Sequence, residues 1–475
     1  LWFPALALAF GLGLPFIAKR SDAHDGDKLL KADVVLLALM TVFSLFVFAD
    51  GLSSSGSPFA ALDLNVGRGA ALVAGIAFVI CGNIMPKSDR NEAFGLRTPW
   101  SLSNDEVWRK SQRFGGYAMI ASGALTVVEY KAVIEALLRS SKSAGFQLLS
   151  LNDFPGQGYA PVGVLDPFWD SKGLVTPEDW RAFCAPTVAL LRYPKSAWFE
   201  DETFTAKAEV YNFGAAALKN AKIRWSITDG SGKAIAKGSL KSQTVGTDGV
   251  FPVGEFSAPL GKVRGPQKLT VHLNVGEKTS NSWDIWVYPR NAQLMQSDTE
   301  VLYTTEFGEQ AKQYLAAGKK VVLTPAPNKV KGRKSTFHNH FWNPIMFAWA
   351  PMTIGCLIHA EEPVFADFPT SYHTDWQWWD ILENAKVIEM QQTPRQLRPF
   401  IQVIDSFDNN EKLGIGFEAR VGGGKLLVLA VDTKKKMDQR PATRQLLESI
   451  DRYVRSDRFA PEVTLDESFI TSFMR

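Results

Sequence analysis

Hydrophobic residues are unevenly distributed along this chain, and its longest uninterrupted apolar runs all lie within the first 128 residues. Crossing a bilayer as a helix takes roughly 20 apolar residues. Three runs are near this length: Leu1–Ala18, Val34–Ala49 and Gly69–Met85. A fourth, Phe114–Val128, meets Glu129 and Lys131 at once, and as a helix it reaches only about 22 Å of the ~30 Å hydrocarbon core. The pattern predicts a membrane segment with a truncated last helix.

Basic residues between these apolar runs predict how the segment is oriented. The first connecting loop and the third are rich in Lys and Arg, whereas the second, Asp50–Gly67, has neither. Basic loops stay in the cytoplasm, so the first and third loops are expected inside and the second outside. A fourth span would then place residues 129–475 outside the cytoplasm.

The third loop carries a recognisable string, which runs through Gly82–Lys87, Gly95–Ser103 and Glu106–Lys110. Ser103 and Glu106 form a capping box that predicts a short helix. The string resembles the SdpI family of bacterial multi-span membrane proteins, some of which give immunity to a secreted toxin, and the resemblance is dense over about residues 82–128. It implies a membrane immunity or signalling role, with the lipid bilayer as partner of residues 1–128. The alternative is an ordinary basic loop beside a membrane.

After Val128 the pattern becomes that of a folded protein with several domains. Tyr130–Arg139 has apolar residues at helical spacing, and Gly145–Leu151 is a short apolar run typical of a strand. Thr176–Phe183 predicts a helix with Thr176 as its N-cap, a proline in its first turn and Asp179 bonding back to the cap.

Short alternating runs separated by turn residues occupy about residues 188–290. The runs are Phe204–Tyr211, Lys222–Thr228, Lys268–Asn274 and Ser282–Tyr288. Turns are indicated by Asn212–Gly214 and Asp229–Gly230. About 100 residues of short strands predict an immunoglobulin-like β-sandwich.

From residue 291 onward, strand-like and helix-like runs alternate. Glu300–Thr304 and Lys320–Thr324 flank a helical run, Gly308–Ala317, which ends at Gly318. A strand–helix–strand unit of this length predicts a parallel pair of strands. Nearer the C-terminus a strand and a helix are predicted at Lys425–Val431 and Pro441–Val454. These elements predict a flavodoxin-like α/β domain.

Six strings after residue 128 are distinctive when taken together: Gly145–Leu149, Asp153–Gly158, Gly163–Trp169, Trp283–Pro289, Phe368–Thr370 and His373–Asp380. They resemble the C-terminal half of large bacterial enzymes related to family two glycoside hydrolases, the β-galactosidase-like class, which hydrolyse O-glycosidic bonds. Such enzymes carry a TIM barrel followed by β-sandwich and further accessory domains. The resemblance implies that Gly145–Leu151 is the last barrel strand and Thr176–Phe183 the closing helix.

Taken together, the patterns predict four domains in order along the chain. They are an SdpI-like α-helical membrane segment (residues 1–128), a TIM-barrel remnant (129–187), an immunoglobulin-like β-sandwich (188–290) and a flavodoxin-like α/β accessory domain (291–475).

The resemblance supplies no catalytic residue. Glycoside hydrolysis requires two carboxylates that flank the bond, and in this family both come from barrel strands that this chain lacks, so the resemblance implies a glycosidase-like chain without its catalytic residues. Asp153 follows the remaining strand, at the end where barrels place functional groups. Asp153 and Gln157 are candidates for binding sugar hydroxyls, and Trp169 for stacking on a sugar ring. The alternative is that Asp153 and Gln157 satisfy their own turn.

Net charge, cysteines and histidines indicate which partners and metal sites this chain is not expected to have. The net charge of +3 gives no strong attraction for nucleic acid, and the three cysteines suggest neither a disulfide framework nor a zinc finger. The set of His338, His340, Cys356, His359 and His373 matches no standard metal spacing. Structural roles are favoured for them, and no metal or cofactor is predicted.

Three further motifs have ordinary interpretations. Gly422–Lys425 precedes a strand and lacks the Ser or Thr of a phosphate loop, which favours a hairpin turn. The cluster of Trp376, Trp378 and Trp379 fits a carbohydrate platform or an aromatic core. Lys434–Lys436 is typical of a solvated loop.

Three hypotheses for the whole chain follow. The first is a glycoside-hydrolase-derived region, displayed in a bacterial periplasm or at the cell surface, that binds carbohydrate without catalysis. The second is an SdpI-type membrane protein with a C-terminal passenger. The third is a chimeric fusion of two reading frames near residue 128. If the fusion is natural, residues 129–187 are expected to pack on the sandwich or on a partner chain.

Overall fold

The computed structural model describes residues 128–140, 143, 145–148, 151–153, 163–166, 168–290, 295–335, 337, 353–405 and 409–475. The chain divides into two units, Leu1–Tyr117 and Ala118–Arg475, and every described residue lies in the second. The predicted spans Leu1–Ala18, Val34–Ala49 and Gly69–Met85, and all of Phe114–Val128 except its last residue, fall outside the described residues. Within the described part, no helix is both long and apolar enough to cross a bilayer.

The first described elements are two helices that pack on a strand. Helix α1 covers residues 128–138, and α2 covers Pro177–Phe183. Both helices were predicted. The capping box of α2 is present as expected, because the Thr176 hydroxyl accepts the Asp179 N–H and the Asp179 carboxylate accepts the Thr176 N–H.

The predicted barrel strand Gly145–Leu151 is wrong for the residues that the structure describes. Residues 145–148 and 151 are not in a strand, and nearby Asn152 forms only an isolated bridge with Leu165. A parallel barrel strand obtains its backbone hydrogen bonds from a strand on each side. The described chain offers this segment no such neighbours, so its apolar composition alone does not make it a strand.

Two sheets then pack face to face as a sandwich. The smaller sheet has the order β1-β3-β6, formed by β1 (Thr187–Arg192), β3 (Thr203–Asn212) and β6 (Gly249–Pro259). The larger has the order β2-β8-β7-β4-β5, formed by β2 (Ala197–Phe199), β4 (Leu218–Thr228), β5 (Ala234–Val245), β7 (Gln267–Val275) and β8 (Thr279–Tyr288).

The sandwich core comes from alternating positions on both sheets. Phe204 and Val210 on β3 lie in one buried cluster with Leu269 and Val271 on β7. Their neighbours along each strand face outward, which is the alternation expected of strands with one buried face. The four strands predicted from alternation are present as β3, β4, β7 and β8.

The rest of the chain forms a nine-stranded mixed sheet. Its strands are β9 (Val301–Thr304), β10 (Lys320–Leu323), β11 (Arg333–Lys334), β12 (Thr353–Ile358), β13 (Lys386–Glu389), β14 (Ile401–Asp405), β15 (Leu413–Val421), β16 (Gly424–Leu429) and β17 (Thr464–Leu465). Helices α3 (Glu309–Ala316) and α6 (Glu467–Phe473) cover one face. Helices α4 (Trp378–Glu383) and α5 (Pro441–Arg455) cover the other.

The flavodoxin-like assignment needs correction, because a flavodoxin-like sheet is built of parallel strands. The predicted strand–helix–strand unit is present, and β9, β10 and β16 are parallel neighbours. However, β15 and β16 form an antiparallel hairpin through Gly422 and Gly423. Strand β14 pairs antiparallel with β12 and β15, and β13 also pairs antiparallel with β15. The described region is therefore a multidomain, β-rich assembly of several sheets, in which parallel and antiparallel pairs are mixed.

Candidate functional site

Asp153, the first predicted sugar-binding residue, is completely buried. Its side chain is 0% exposed, and its carboxylate accepts the Gly163 N–H at 2.8 Å and the Lys172 ammonium at 2.6 Å. The same ammonium also donates to the Gly163 carbonyl at 2.8 Å. These bonds tie together the two ends of its own loop, so the geometry favours the structural interpretation of this carboxylate.

The other two predicted residues are placed differently. Gln157 lies outside the described residues. Trp169 is 63% exposed and has a left-handed backbone with φ of 72°, and Phe168 beside it is 59% exposed. The Asp166 carboxylate accepts the Phe168 N–H at 2.8 Å and holds this turn. Because Asp153 is buried and Trp169 faces solvent, the two do not share one binding surface.

Glu135, which the sequence analysis did not single out, is the centre of a buried polar network. It is 2% exposed. Its carboxylate lies 3.0 Å from the Lys131 ammonium and 2.8 Å from the Arg139 guanidinium, one helical turn to either side. Asn281 Nδ2 and Trp283 Nε1 on β8 each donate to it at 2.9 Å. Two cations and two neutral donors therefore converge on one carboxylate.

This network fixes α1 to the sandwich. The Lys131 ammonium also donates to the Asn281 side chain, and Arg192 on β1 donates to the Arg139 carbonyl at 3.1 Å. Burial lowers the pKa of Lys131, although the Glu135 charge opposes that shift. The spacing of a carboxylate between two cations at i,i+4 was a sequence signal for ion pairs, but it did not indicate burial.

The apolar side of α1 completes the attachment. Ile134 and Leu138 pack with Phe183 of α2 and with Val188 and Leu190 of β1 in one buried cluster. This is the packing on the sandwich that we expect if the fusion is natural. Helix α1 is therefore tied to the sandwich by both polar and apolar contacts, and α2 packs in the same apolar cluster.

Three of the strings that resemble glycoside hydrolases, Trp283–Pro289, Phe368–Thr370 and His373–Asp380, meet between the sandwich and the α/β layer. The Tyr288 hydroxyl donates to the side-chain oxygen Oε1 of Gln377, and the Tyr288 ring stacks on Phe368 with centroids 6.1 Å apart. Trp378 is 0% exposed, and its indole N–H donates to the Thr370 hydroxyl at 2.9 Å. These strings thus build an interface between two folded layers.

A buried carboxyl group lies in this interface. Burial raises the pKa of Asp375 to about 7, while the nearby Lys268 charge acts in the opposite direction. Its partners are the Gln377 backbone N–H at 3.2 Å and, more distantly, the Gln377 amide at 3.4 Å. Burial also lowers the pKa of His373, which lies in the same string, His373–Asp380, as Asp375.

The tryptophan cluster and the histidines have the following positions. Trp378 belongs to the core, whereas Trp376 stacks on Phe337 at 5.2 Å and Trp379 is 39% exposed. His338 and His340 lie outside the described residues. Among the residues that the structure does describe, no group of three or more His, Cys, Asp or Glu side chains could hold a metal ion.

Three family models match separate parts of the chain. Residues 87–146 match the SdpI/YfhL protein family. Residues 202–289 and 302–475 match two domains of unknown function, DUF8488 and DUF8487. The chain is also 27% identical over 125 residues to the immunity protein SdpI of Bacillus subtilis (strain 168), which covers 26% of this chain. The match spans about half of that relative, 56% of its length.

Solved structures give only distant likenesses. The CARDB domain of a Pyrococcus furiosus protein has 13% identity and a TM-score of 0.17, covering 22% of this chain and 94% of that domain. A β-glucosidase from Listeria innocua in complex with glucose has 15% identity and a TM-score of 0.17, covering 22% of this chain and 16% of the enzyme. Likenesses at this level carry no argument about activity.

Proposed function

We propose that this chain is an SdpI-type membrane protein with an immunity or signalling role, anchored through residues 1–128. Its C-terminal region lies outside the cytoplasm, in a bacterial periplasm or at the cell surface. The observation that carries this proposal is the SdpI/YfhL match over residues 87–146, which includes all of α1. The similarity to a curated immunity protein supports the same role.

The packing of α1 supports treating the two parts as one protein. α1 lies inside the family match and directly follows the predicted fourth span. Its Glu135 is enclosed by Asn281 and Trp283 of the sandwich, and its Ile134 is buried beside Val188. Since part of the segment that matches the SdpI family packs into the folded C-terminal region, we propose that this region belongs to the same protein and is not an unrelated passenger.

A survival assay tests the immunity role. The full chain is expressed in a Bacillus subtilis strain that lacks its own immunity protein and is exposed to the cognate toxin. We expect at least tenfold more surviving cells than with an empty vector. The substitution Trp108→Ala, in the matched string, is expected to abolish protection, because an aromatic side chain suited to the headgroup region is lost.

A matched tryptophan change serves as the control for this assay. Trp169→Ala alters an exposed indole outside the matched segment, so it is expected to leave protection intact. Absence of protection by the unaltered chain, when immunoblots show it in the membrane fraction, would overturn the immunity role.

Carbohydrate binding by the C-terminal region is the second candidate function. It rests on the resemblance of residues 129–475 to β-galactosidase-like glycoside hydrolases, under which we assign the sandwich to the immunoglobulin-like class. No catalysis is proposed. The observation that favours binding is the exposure of two adjacent aromatic side chains, Trp169 at 63% and Phe168 at 59%, because aromatic faces can stack on sugar rings.

Titration calorimetry of the full chain with lactose and with galactan oligosaccharides tests this second function. Trp169→Ala is expected to abolish the heat of binding, whereas Phe213→Ala is not, although Phe213 is also an exposed aromatic at 50%. Equal binding by wild type and Trp169→Ala would contradict a sugar site at this turn.

The chimeric alternative has a direct test at the level of DNA. A single long genomic read across codons 120–140 is expected to be continuous if the protein is one gene product. A read that breaks there would separate an SdpI-like protein from a truncated glycosidase-like one.

A further inference from the structure

A crevice opens at one edge of the α/β sheet, where its parallel strands end. β9, β10 and β16 lie side by side and run in the same direction, so their carboxyl ends meet at one edge. The residues that follow these ends enclose a cavity of about 310 Å³. Its polar lining consists of Thr305, Thr324, Asp432, Thr433, Lys434 and Lys435.

The connections that leave β10 and β16 diverge to opposite faces of the sheet. After β10 the chain reaches Val330, which packs in the same cluster as Leu315 of α3. After β16 it reaches Met437 and Ala442, which pack in the opposite cluster with the rest of α5. In open α/β sheets, ligands bind in the crevice that such a divergence creates outside the carboxyl ends of the strands.

The chemistry of the lining suits a small anion that also carries hydroxyl groups. The Lys434 and Lys435 side chains are exposed, and within the described part of the chain no hydrogen bond or ion pair holds either ammonium. Thr305, Thr324 and Thr433 add three hydroxyl groups. A cavity of this volume is at the lower end of the ~300–1,000 Å³ range of ligand pockets, which suits a ligand about the size of a monosaccharide.

The loop that carries Lys434 and Lys435 is held in place by hydrogen bonds within the loop and by two side chains outside it. The Asp432 carboxylate accepts the N–H groups of Lys434 and Lys435 at 2.9 and 3.0 Å. Arg440, which is 5% exposed, donates to the Asp432 carbonyl at 2.5 Å and pairs with Asp380 of α4. A buried arginine committed to an exposed loop fixes the backbone that carries the two lysines, and such prior ordering lowers the entropic cost of binding.

We propose that this crevice binds a small hydroxylated organic anion, such as a sugar phosphate or a sugar acid, through Lys434 and Lys435. The threonine hydroxyls at the ends of the strands contact the hydroxyl groups of the ligand. The site is independent of the proposed membrane role, since it is built entirely from residues of the α/β layer. In this proposal Asp380, from the string His373–Asp380, supports the loop by holding Arg440.

Titration calorimetry of the purified full chain in phosphate-free buffer tests the proposal, with glucose 6-phosphate, glucuronate and neutral glucose as probes. At least one charged sugar is expected to bind, and the phosphate and carboxylate probes show which anion is preferred. The double variant Lys434→Gln/Lys435→Gln is expected to weaken that binding at least tenfold. Both lysines are exposed, so circular dichroism is expected to show an unchanged fold.

Lys436→Gln is the matched control, because Lys436 belongs to the same basic run but does not line the cavity. It is expected to bind as the wild type does. Three outcomes would overturn the proposal: no heat with either charged sugar, binding that the double variant retains in full, or neutral glucose bound as tightly as the charged probes.

Discussion

Glu135 illustrates, at the scale of single residues, how burial changes the meaning of a charge pattern. In the sequence, Lys131, Glu135 and Arg139 could be an exposed row of i,i+4 ion pairs, each worth roughly 0.2–0.5 kcal/mol. In the structure the carboxylate is 2% exposed and also accepts two hydrogen bonds from β8. Removing its charge therefore leaves two cations beside a site with no compensating anion.

We expect Glu135→Gln to lower the free energy of unfolding by about 2–4 kcal/mol, near the cost of removing one partner of a buried ion pair. The estimate is reduced because the side chains of Lys131 and Arg139 retain 25% and 16% exposure. Urea denaturation of the full chain, followed by tryptophan fluorescence, measures the change.

A more exposed ion pair, between Arg192 on β1 and Glu209 on β3 of the sandwich, provides the comparison for this prediction. Glu209→Gln removes the partner of Arg192, whose side chain is 48% exposed, and is expected to cost less than about 1 kcal/mol. If both variants lost the same small amount, the Glu135 network would not be what fixes α1 to the sandwich.

Asp375 gives the molecule a pH-dependent stability whose direction is set by burial. Burial raises its pKa from 3.8 to about 7, so between these values the folded state keeps a proton that the unfolded state has released. Stability therefore falls as the pH rises through this window. Burial likewise raises the pKa of Glu418 to about 7, and that carboxyl adds a fall in the same direction.

We expect Asp375→Asn to flatten this dependence. Between about pH 5 and pH 8, the wild type should lose more stability than the variant, by at least about 1.4 kcal/mol, which corresponds to one pKa unit. The slope that remains in the variant combines the fall due to Glu418 with an opposite rise due to His373, whose pKa is lowered by burial. Urea titrations at both pH values test this, and the exposed Asp438→Asn change should behave as the wild type. Parallel slopes for all three proteins would contradict a protonated Asp375.

The predicted sugar residues show what residue type alone could not decide. Asp153 was chosen because it follows the predicted barrel strand, and only the fold reveals that Lys172, 19 positions away, occupies its carboxylate. Trp169 was chosen for its indole, and its exposure depends on a left-handed turn at φ of 72° that is unusual for a residue other than glycine. A buried ion-pair partner and a left-handed backbone conformation both depend on tertiary contacts, so residue type alone does not predict them.

At the scale of elements, strands with a clear alternation were predictable and the others were not. β3 and β7 alternate almost strictly between buried and outward positions. β5 was missed because most of its residues are exposed or half-buried. β6 was missed because Pro252 and Gly254 interrupt it, beside a register shift where it pairs with β3. Proline and glycine lower strand propensity, and bulges such as this one accommodate them.

The glycine-rich string Gly422–Lys425 was correctly predicted as a hairpin turn, and its close packing yields a further prediction. A Cβ added at Gly424 would lie 2.5 Å from the Lys319 carbonyl oxygen and 2.7 Å from the Leu315 Cα. Gly424→Ala is therefore expected to destabilise the protein by about 1–3 kcal/mol, because backbone atoms of α3 and the following turn must move. Thermal or urea denaturation measures the loss.

Gly230→Ala is the matched control for that substitution. No atom lies within 4 Å of a Cβ built at Gly230, so the change is expected to stay within about 0.5 kcal/mol of the wild type. A Gly424→Ala protein as stable as Gly230→Ala would show that the hairpin is not pressed against α3.

At the scale of the whole molecule, the hydrophobic pattern predicted a β-sandwich followed by an α/β domain but could not predict how their strands pair. The parallel β9–β10 pair follows from a local strand–helix–strand pattern. The antiparallel part of the sheet depends on pairings such as that between β12 and β14, in which Cys356 lies opposite Val403, 47 positions away, and no local pattern records such a pairing. The interface between the sandwich and the α/β layer could not be predicted for the same reason, because the hydrogen-bonded residues Tyr288 and Gln377 are 89 positions apart in sequence.

The membrane assignment is the central claim about the whole molecule, and the location of the C-terminal region tests it most directly. Cysteine variants are made in a background in which Cys81, Cys184 and Cys356 are replaced by serine. Lys278→Cys introduces a thiol on an exposed turn of the sandwich. Lys87→Cys introduces one in the third loop, which is predicted to be cytoplasmic. Intact spheroplasts are then treated with a maleimide reagent that cannot cross the membrane.

The account predicts a chain in the membrane fraction in which Lys278→Cys is labelled in intact spheroplasts and Lys87→Cys only after permeabilisation. A chain that fractionates away from membranes, or a Lys278→Cys thiol that is labelled only after permeabilisation, would contradict it.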